Sequence, residues 1–266
     1  METVLFREAY QPQEGNMGGT KLLKPAERLV VGVESKPNPK RGQNRDWAVG
    51  QVINLAHKLK GTEVYIKVES TLVACGYDLI AVIHSCGLKV FADTKLSGMP
   101  EKLSAHGVLL NEYKPELVTV MCATGVTGMK ALKAELPNTE VLGVPVLTSF
   151  KDTDADEVFD RSVDEAVIRF ARLADDAAID GLILAPGEVQ MIRKNFGEVM
   201  TLNCPGVRSD WMVIRDDDQN YGRVMTPAMA IRAGADRVIV ERAVTQSLHP
   251  YEVVMRLIEE IASIRP

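Results

Sequence analysis

The chain has 266 residues, of which 46% are apolar and 25% are charged, a composition typical of a globular protein with one large core. Its formal net charge of −5 and the lack of any block rich in lysine or arginine argue against nucleic acid as a partner. No apolar run is long enough to span a membrane, and residues 1–24 lack the apolar core of a signal peptide. We therefore expect a cytoplasmic protein that has no membrane partner.

The cysteines and histidines show no pattern of a metal site. Cys75, Cys86, Cys122 and Cys204 are scattered without CxxC spacing, which favours free thiols in a reducing compartment over disulfides. The four histidines also lack metal-ligand spacing. We therefore expect no metal site.

Short runs of aliphatic residues alternate with longer segments of helical periodicity along most of the chain. The predicted strands are residues 29–34, 63–68, 88–95, 117–122, 141–148, 181–185, 199–203 and 237–240. The predicted helices are residues 47–60, 100–113, 128–136, 156–178, 186–196, 227–233 and 250–264. Most of the strands are nearly continuous in Val, Ile and Leu, as expected when helices cover both faces of a parallel sheet.

This alternation predicts a (β/α)8 TIM barrel, because eight β/α units in about 250 residues match the usual size of that fold. A doubly wound open sheet is the alternative, but no GxGxxG motif follows the first strand. No segment resembles a linker between domains. We expect one α/β barrel domain over residues 29–266, preceded by an N-terminal extension or arm over residues 1–28.

In such a barrel, functional side chains lie at the carboxyl ends of the strands. Asp93 and Lys95 end the third strand, and residues i and i+2 of a strand project from the same face. Lys67 lies near the end of the second strand, so the three residues would form an array of alternating charge. A lysine can stabilise a developing carbanion and donate a proton to it, while an aspartate holds the lysine in place. A structural ion-pair network in the barrel mouth would give the same pattern.

The segments after the seventh and eighth strands suggest a site for an anion. Residues 205–219 predict a mobile loop that could close over a ligand. Gln219 suits a phosphate oxygen, although an ordinary surface glutamine is the alternative. Arg242 could donate two hydrogen bonds in the region where barrels often bind phosphate. Glu241 would repel phosphate if its side chain faced inward, and would leave the site intact if it faced outward.

These residues resemble the signature motifs of the orotidine 5'-monophosphate decarboxylase family. The family motif D-x-K-x-x-D-I-P corresponds to residues 93–100, which read D-T-K-L-S-G-M-P. The closing signature of P-G-I-R, D-Q, R-V-x-T-P, G-A-D and G-R corresponds to residues 205–208, 218–219, 223–227, 234–236 and 241–242. The resemblance extends from about Leu29 to the C-terminus.

The resemblance implies a cofactor-free, homodimeric decarboxylase that converts orotidine 5'-monophosphate to uridine 5'-monophosphate and CO2, with sites completed across the subunit interface. It implies that Lys95 protonates C6 of the pyrimidine as CO2 leaves. Asp93 would lie beside the substrate carboxylate, and Lys67 would bind Asp93 and the ribose. The residues expected to bind the rest of this phosphorylated small molecule are Glu34, Thr148, Ser149, Pro205, Gln219 and Arg242.

The sequence departs from the family pattern at several of these positions. Gly98 stands where the motif has its second aspartate, the one that the partner subunit contributes, and Lys102 stands where a threonine follows the motif. Glu34 replaces the ribose-binding aspartate, and Glu241 replaces a glycine whose amide approaches the phosphate. Two alternatives therefore stand beside the decarboxylase: a diverged member with an altered substrate, and a nucleotide-binding protein without catalysis.

Overall fold

Eight parallel strands form a closed barrel in the computed structural model, which describes residues 23–212 and 225–264. Each strand pairs with the next one along the chain, and the last pairs with the first. The strands are β1 (Leu29–Gly32), β2 (Tyr65–Val68), β3 (Lys89–Leu96), β4 (Leu117–Met121), β5 (Glu140–Val144), β6 (Gly181–Ile183), β7 (Thr201–Cys204) and β8 (Arg237–Val240). The predicted (β/α)8 barrel is confirmed.

Helices connect the strands, as the parallel order of the barrel requires. Within the described residues they are α1 (Arg45–Lys58), α2 (Ser70–Cys75), α3 (Asp78–Ser85), α4 (Pro100–Tyr113), α5 (Gly125–Ala134), α6 (Asp152–Phe159), α7 (Val163–Asp176), α8 (Val189–Phe196), α9 (Pro227–Arg232), α10 (Arg242–Thr245) and α11 (Pro250–Ala262). Among these described helices, none is both long and apolar enough to cross a membrane.

Two predicted elements differ from the observed ones, and three observed helices were not predicted. The helix predicted over residues 156–178 is two helices, because Asp160 adopts a left-handed conformation with φ of 55° and ends α6. Ser162 then caps α7 by accepting a hydrogen bond from the backbone N–H of Glu165. The fifth strand ends at Val144 rather than at residue 148, because Pro145 has no N–H to donate to the sheet. The prediction also missed α2, α3 and α10, whereas the other elements have ends shifted by up to three residues.

Apolar side chains fill the inside of the barrel and the space between the barrel and its helices. The interior cluster consists of Val30, Tyr65, Phe91, Leu117, Leu142, Val144, Ile183 and Ile239. Burial of one such side chain stabilises the fold by about 1.5–3 kcal/mol. All four cysteines are free, and three of them are buried, whereas Cys75 at the end of α2 is half-buried.

A buried ion pair closes the end of the barrel where the strands begin. Arg237 at the start of β8 is fully buried and donates hydrogen bonds of 2.9 and 2.6 Å to the Glu140 carboxylate at the start of β5. It also donates a hydrogen bond of 3.2 Å to Asn203 Oδ1, and its guanidinium lies 5.3 Å from the ring centre of Tyr65. This end is therefore filled by protein, and space for a ligand lies at the opposite end.

The short segment before β1 is attached to the barrel. Residues Pro25–Arg28 form a turn of 3-10 helix, and Arg28 donates hydrogen bonds of 3.0 Å to the backbone carbonyls of Asp236 and Ala235. Residues 1–22 lie outside the described residues. The boundary between an extension and the barrel at residue 28 stays a prediction.

Candidate active site

A cavity of about 1270 Å³ opens at the carboxyl ends of the strands. Seven of the nine site residues expected from the sequence line it: Lys67, Asp93, Lys95, Thr148, Ser149, Pro205 and Arg242. The cavity is somewhat larger than the roughly 300–1,000 Å³ typical of small-molecule sites. Gln219 and the preceding loop residues 213–218 lie outside the described residues.

The charged groups on one wall of the cavity form a continuous chain of alternating sign. Lys67 Nζ lies 3.0 Å from Glu241 Oε1 and 3.2 Å from Asp93 Oδ2. Lys95 Nζ lies 3.0 Å from the same Asp93 oxygen and 2.9 Å from Glu69 Oε2. We call these five residues the charge network. It holds three carboxylates and two ammonium groups, and Asp93 is at its centre.

The centre of the charge network is almost completely removed from solvent. The side chains of Lys67 and Asp93 are only 7% and 10% exposed. Burial by itself would raise the pKa of Asp93, but the ammonium groups of Lys67 and Lys95 lower it below its usual value. Burial would also lower the pKa of Lys67, yet the Asp93 and Glu241 carboxylates hold it above its usual range. Asp93 is therefore ionised and Lys67 is protonated at neutral pH.

Asp93 and Lys95 meet as predicted, although β3 is not regular between them. Lys95 has a φ of 46°, and the pairing of β3 with β4 shifts between Ala92 and Leu96. A positive φ is costly for a lysine and persists only where other contacts fix it. The backbone N–H of Lys95 donates a hydrogen bond of 2.8 Å to Thr119 Oγ1, which provides one such contact.

Glu34 lies beside the cavity rather than in its wall. Its carboxylate accepts hydrogen bonds of 2.6 Å from the backbone N–H of Glu69 and of 2.5 Å from Ser70 Oγ, at the start of α2. The side chain thus caps this short helix, where a negative charge is favourable. Glu34 is not among the residues that line the cavity. Its contact with substrate stays a prediction.

Glu241 faces inward, which settles the orientation that the sequence left open. Its carboxylate bonds to Lys67, and its side chain lies directly over Gly32 of β1. A Cβ atom at Gly32 would be only 2.5 Å from Glu241 Cγ, so the glycine leaves room for the glutamate. A negative charge therefore lies beside Arg242, at the corner where phosphate binding is expected.

Three residues that line the cavity or contact the charge network were missed from the sequence. Glu69 follows Lys67 by two residues, so the spacing that selected Asp93 and Lys95 would also have selected it. Thr119 is a fully buried polar residue within an aliphatic strand. Glu188 lines the cavity after β6, and its burial raises its pKa to about 7.

In the described part of the chain, no cluster of three or more Cys, His, Asp or Glu side chains could bind a metal ion.

Comparison with known proteins identifies the family. Residues 29–257 match the Orotidine 5'-phosphate decarboxylase / HUMPS family. The chain belongs to this family. Its resemblance to the family, expected from the motifs at residues 93–100 and 205–242, is confirmed.

Known members of the family align with most of the chain. Orotidine 5'-phosphate decarboxylase of Streptococcus suis is 32% identical over 202 residues, which are 74% of this chain and 86% of the relative. The protein of the same name from a strain of Prochlorococcus marinus is 30% identical over 254 residues, which are 91% of this chain and 99% of the relative.

Solved structures of the family share the barrel. The crystal structure of orotidine 5'-phosphate decarboxylase from Lactobacillus acidophilus superposes with a TM-score of 0.71 at 21% identity, covering 89% of this chain and all of the other. The structure of the protein of the same name from Pyrococcus horikoshii OT3 has a TM-score of 0.68 at 20% identity, with coverage of 89% and 100%. At this identity, the likeness supports the fold alone.

Proposed function

We propose that the protein is a cofactor-independent carboxy-lyase of pyrimidine biosynthesis that converts orotidine 5'-monophosphate to uridine 5'-monophosphate and CO2. The observation that carries this proposal is the contact of Lys95 Nζ with Asp93 at 3.0 Å in the wall of the cavity. Family membership and the family motif at residues 93–100 support it. By the same likeness, we propose a cytoplasmic homodimer.

In the proposed reaction, the bond between C6 of the pyrimidine and its carboxyl carbon breaks, and the electron pair stays on C6. The ammonium of Lys95 transfers a proton to C6, CO2 leaves, and Lys95 regains its proton from solvent. The ionised Asp93 would lie beside the substrate carboxylate and repel it, and this repulsion would disappear when neutral CO2 forms. The positive charge of Lys95 stabilises the electrons that accumulate on C6.

The remaining residues of the site would bind the substrate without taking part in bond breaking. Lys67 would donate hydrogen bonds to the ribose, and Thr148, Ser149 and Pro205 would contact the substrate from the loops after β5 and β7. Arg242 and Gln219 would bind the phosphate, in the region after the last two strands where barrels frequently hold it.

The inward orientation of Glu241 supports a second candidate, a family member with an altered substrate. A carboxylate bonded to Lys67 at 3.0 Å occupies the corner between β8 and β1, where it repels a phosphate dianion. A ligand that presents hydroxyl groups at this corner would instead donate hydrogen bonds to Glu241.

The test is to incubate the purified protein with orotidine 5'-monophosphate and to follow the loss of the orotate absorbance and the formation of uridine 5'-monophosphate. We expect turnover by the parent protein and none by Lys95→Ala with an unchanged circular dichroism spectrum. A flat trace at high protein concentration would refute the decarboxylase. Thermal stabilisation by uridine 5'-monophosphate without turnover would then indicate a nucleotide-binding protein, and stabilisation by a non-nucleotide ligand alone would indicate the altered substrate.

A further inference from the structure

We propose that Glu69 is a positioning residue that holds the ammonium of Lys95 in place, so that both carboxylates on Lys95 come from the same chain. This inference rests on the proposed function of the site, because it assigns a role in the step that Lys95 performs. Glu69 Oε2 lies 2.9 Å from Lys95 Nζ, and Glu69 lines the cavity.

The backbone of Glu69 is fixed independently of its side chain. Glu69 follows β2 directly and precedes α2, and its N–H donates the 2.6 Å hydrogen bond to Glu34. Ser70 donates to the other oxygen of the same carboxylate, so Glu34 binds two consecutive residues. The side chain of Glu69 therefore begins from a fixed point at the cavity rim and reaches across to β3.

Lys95 needs a partner that it does not share. Its other carboxylate, Asp93, uses the same oxygen, Oδ2, to bind Lys67 at 3.2 Å, so two ammonium groups compete for it. Lys95 also has the long flexible stem common to all lysines, and its side chain is 29% exposed. Because Glu69 contacts Lys95 and Glu241 contacts Lys67, each ammonium group has one carboxylate of its own and a share of Asp93.

This arrangement makes the charge network complete within one chain. The motif position that could offer a further carboxylate is Gly98, which has no side chain. Glu69 gives Lys95 its second negative partner without a residue from another copy. Loss of Glu69 would leave the ammonium mobile, and displacement of a reacting group by about 1 Å can cost about 100-fold in rate.

The first experiment compares turnover of Glu69→Gln, Glu69→Asp and the parent. We expect kcat of Glu69→Gln to fall by about 10- to 100-fold while KM changes much less, since Glu69 acts on the group that donates the proton. Glu69→Asp should recover part of kcat, because the carboxylate is restored on a shorter stem. The matched control is Glu259→Gln, the same change at an exposed residue of α11 outside the cavity. A parent-like kcat in a folded Glu69→Gln would overturn the proposal.

A second experiment does not need turnover. An amine-reactive acylating reagent is applied to the parent and to Glu69→Gln, and modification of Lys95 and Lys67 is measured by mass spectrometry. Because an ion pair is lost, Lys95 should react about 2- to 5-fold faster in the variant, whereas labelling of Lys67 should not change. Equal labelling of Lys95 in the two proteins would refute the role of Glu69. If the parent does not decarboxylate, the proposed function fails while this measurement still decides the inference.

A third experiment tests whether the network belongs to one chain. Folded Lys95→Ala and Glu69→Ala proteins are mixed, allowed to exchange subunits and assayed. We expect no activity above that of the separate variants, because each chain lacks one member of the Glu69–Lys95 pair. Recovered activity would show that the two residues act across a subunit interface, contrary to the proposal.

Discussion

Thr119 donates its hydroxyl hydrogen to Asp93 Oδ1 over a distance of 2.9 Å. The same oxygen of Thr119 accepts the N–H of Lys95 at 2.8 Å. One fully buried side chain of β4 therefore orients the carboxylate at the centre of the charge network and fixes the backbone from which Lys95 extends. The left-handed conformation of Lys95 depends on this contact with the neighbouring strand.

Replacement of Thr119 by Val should weaken both the fold and the reaction. Valine has nearly the same shape but no hydroxyl, so the N–H of Lys95 and one oxygen of Asp93 each lose a partner. We expect the free energy of unfolding to fall by about 1–3 kcal/mol, measured by urea denaturation. We also expect a lower kcat for orotidine 5'-monophosphate. Thr119→Ser keeps the hydroxyl and should be close to the parent, and a Thr119→Val protein with parent stability and kcat would contradict this account.

Glu241→Gln should strengthen the binding of uridine 5'-monophosphate. The substitution keeps the size of the side chain but removes the negative charge 3.0 Å from Lys67, at the corner proposed for phosphate. We expect the Kd of uridine 5'-monophosphate, measured by isothermal titration calorimetry, to fall by about 5-fold or more, which corresponds to about 1 kcal/mol. Uridine has no phosphate and provides the control, since its affinity should change much less. An equal gain in affinity for uridine and uridine 5'-monophosphate would show that Glu241 does not act on the phosphate group.

Gly32→Ala should act on the ligand through Glu241. An added Cβ would be 2.5 Å from Glu241 Cγ, and because the Glu241 side chain is 45% exposed, it can move out toward solvent. The movement would break the contact with Lys67, so Gly32→Ala should tighten uridine 5'-monophosphate binding in the same direction as Glu241→Gln. In a double-mutant cycle, the two effects should be less than additive, because both remove the same interaction. Full additivity would show that Gly32→Ala changes binding without displacing the Glu241 side chain.

Much of the fold could be predicted from the sequence because most strands are nearly continuous aliphatic runs, and charged residues interrupt the second and third strands near their ends. That pattern places Lys67, Asp93 and Lys95 at one end of a barrel without any knowledge of their contacts. The ends of elements were harder to predict where one residue's conformation decides them. Asp160, in a left-handed conformation, divided a helix that periodicity alone had joined.

The partners within the site could not be predicted from the sequence in the same way. Glu241 was assigned to the rim, but whether it faced Lys67 or solvent depended on the space above Gly32, more than 200 residues away in the chain. The contact of the Glu34 carboxylate with the start of α2 was not predicted either, because the sequence pattern did not indicate this helix. Such contacts depend on register between strands rather than on local spacing.

Glu188 is a buried acid in the wall of the cavity, with a relative exposure of 9%. Burial is the main cause that raises its pKa to about 7 from the usual 4.5, and the negative charge of Asp164 adds to the effect. The N–H of Ala185 donates a hydrogen bond of 2.9 Å to its carboxyl group and opposes the shift. The folded protein therefore binds a proton at Glu188 more tightly than the unfolded chain does.

The stability of the parent relative to Glu188→Gln should fall as the pH rises. Below about pH 4.5 the carboxyl of Glu188 is protonated in both the folded and the unfolded state, and its full contribution to stability is present. Between pH 4.5 and about 7 only the unfolded chain has lost the proton, so this contribution falls as the pH rises. Above pH 7 the group is ionised in both states, and the difference in stability no longer changes with pH. The difference in free energy of unfolding should change by about 3 kcal/mol across this window, measured by urea denaturation at several pH values. Glutamine cannot titrate but can accept the Ala185 hydrogen bond, and groups shared by both proteins cancel in the difference. A difference that does not change with pH would show that Glu188 is ionised in the folded protein.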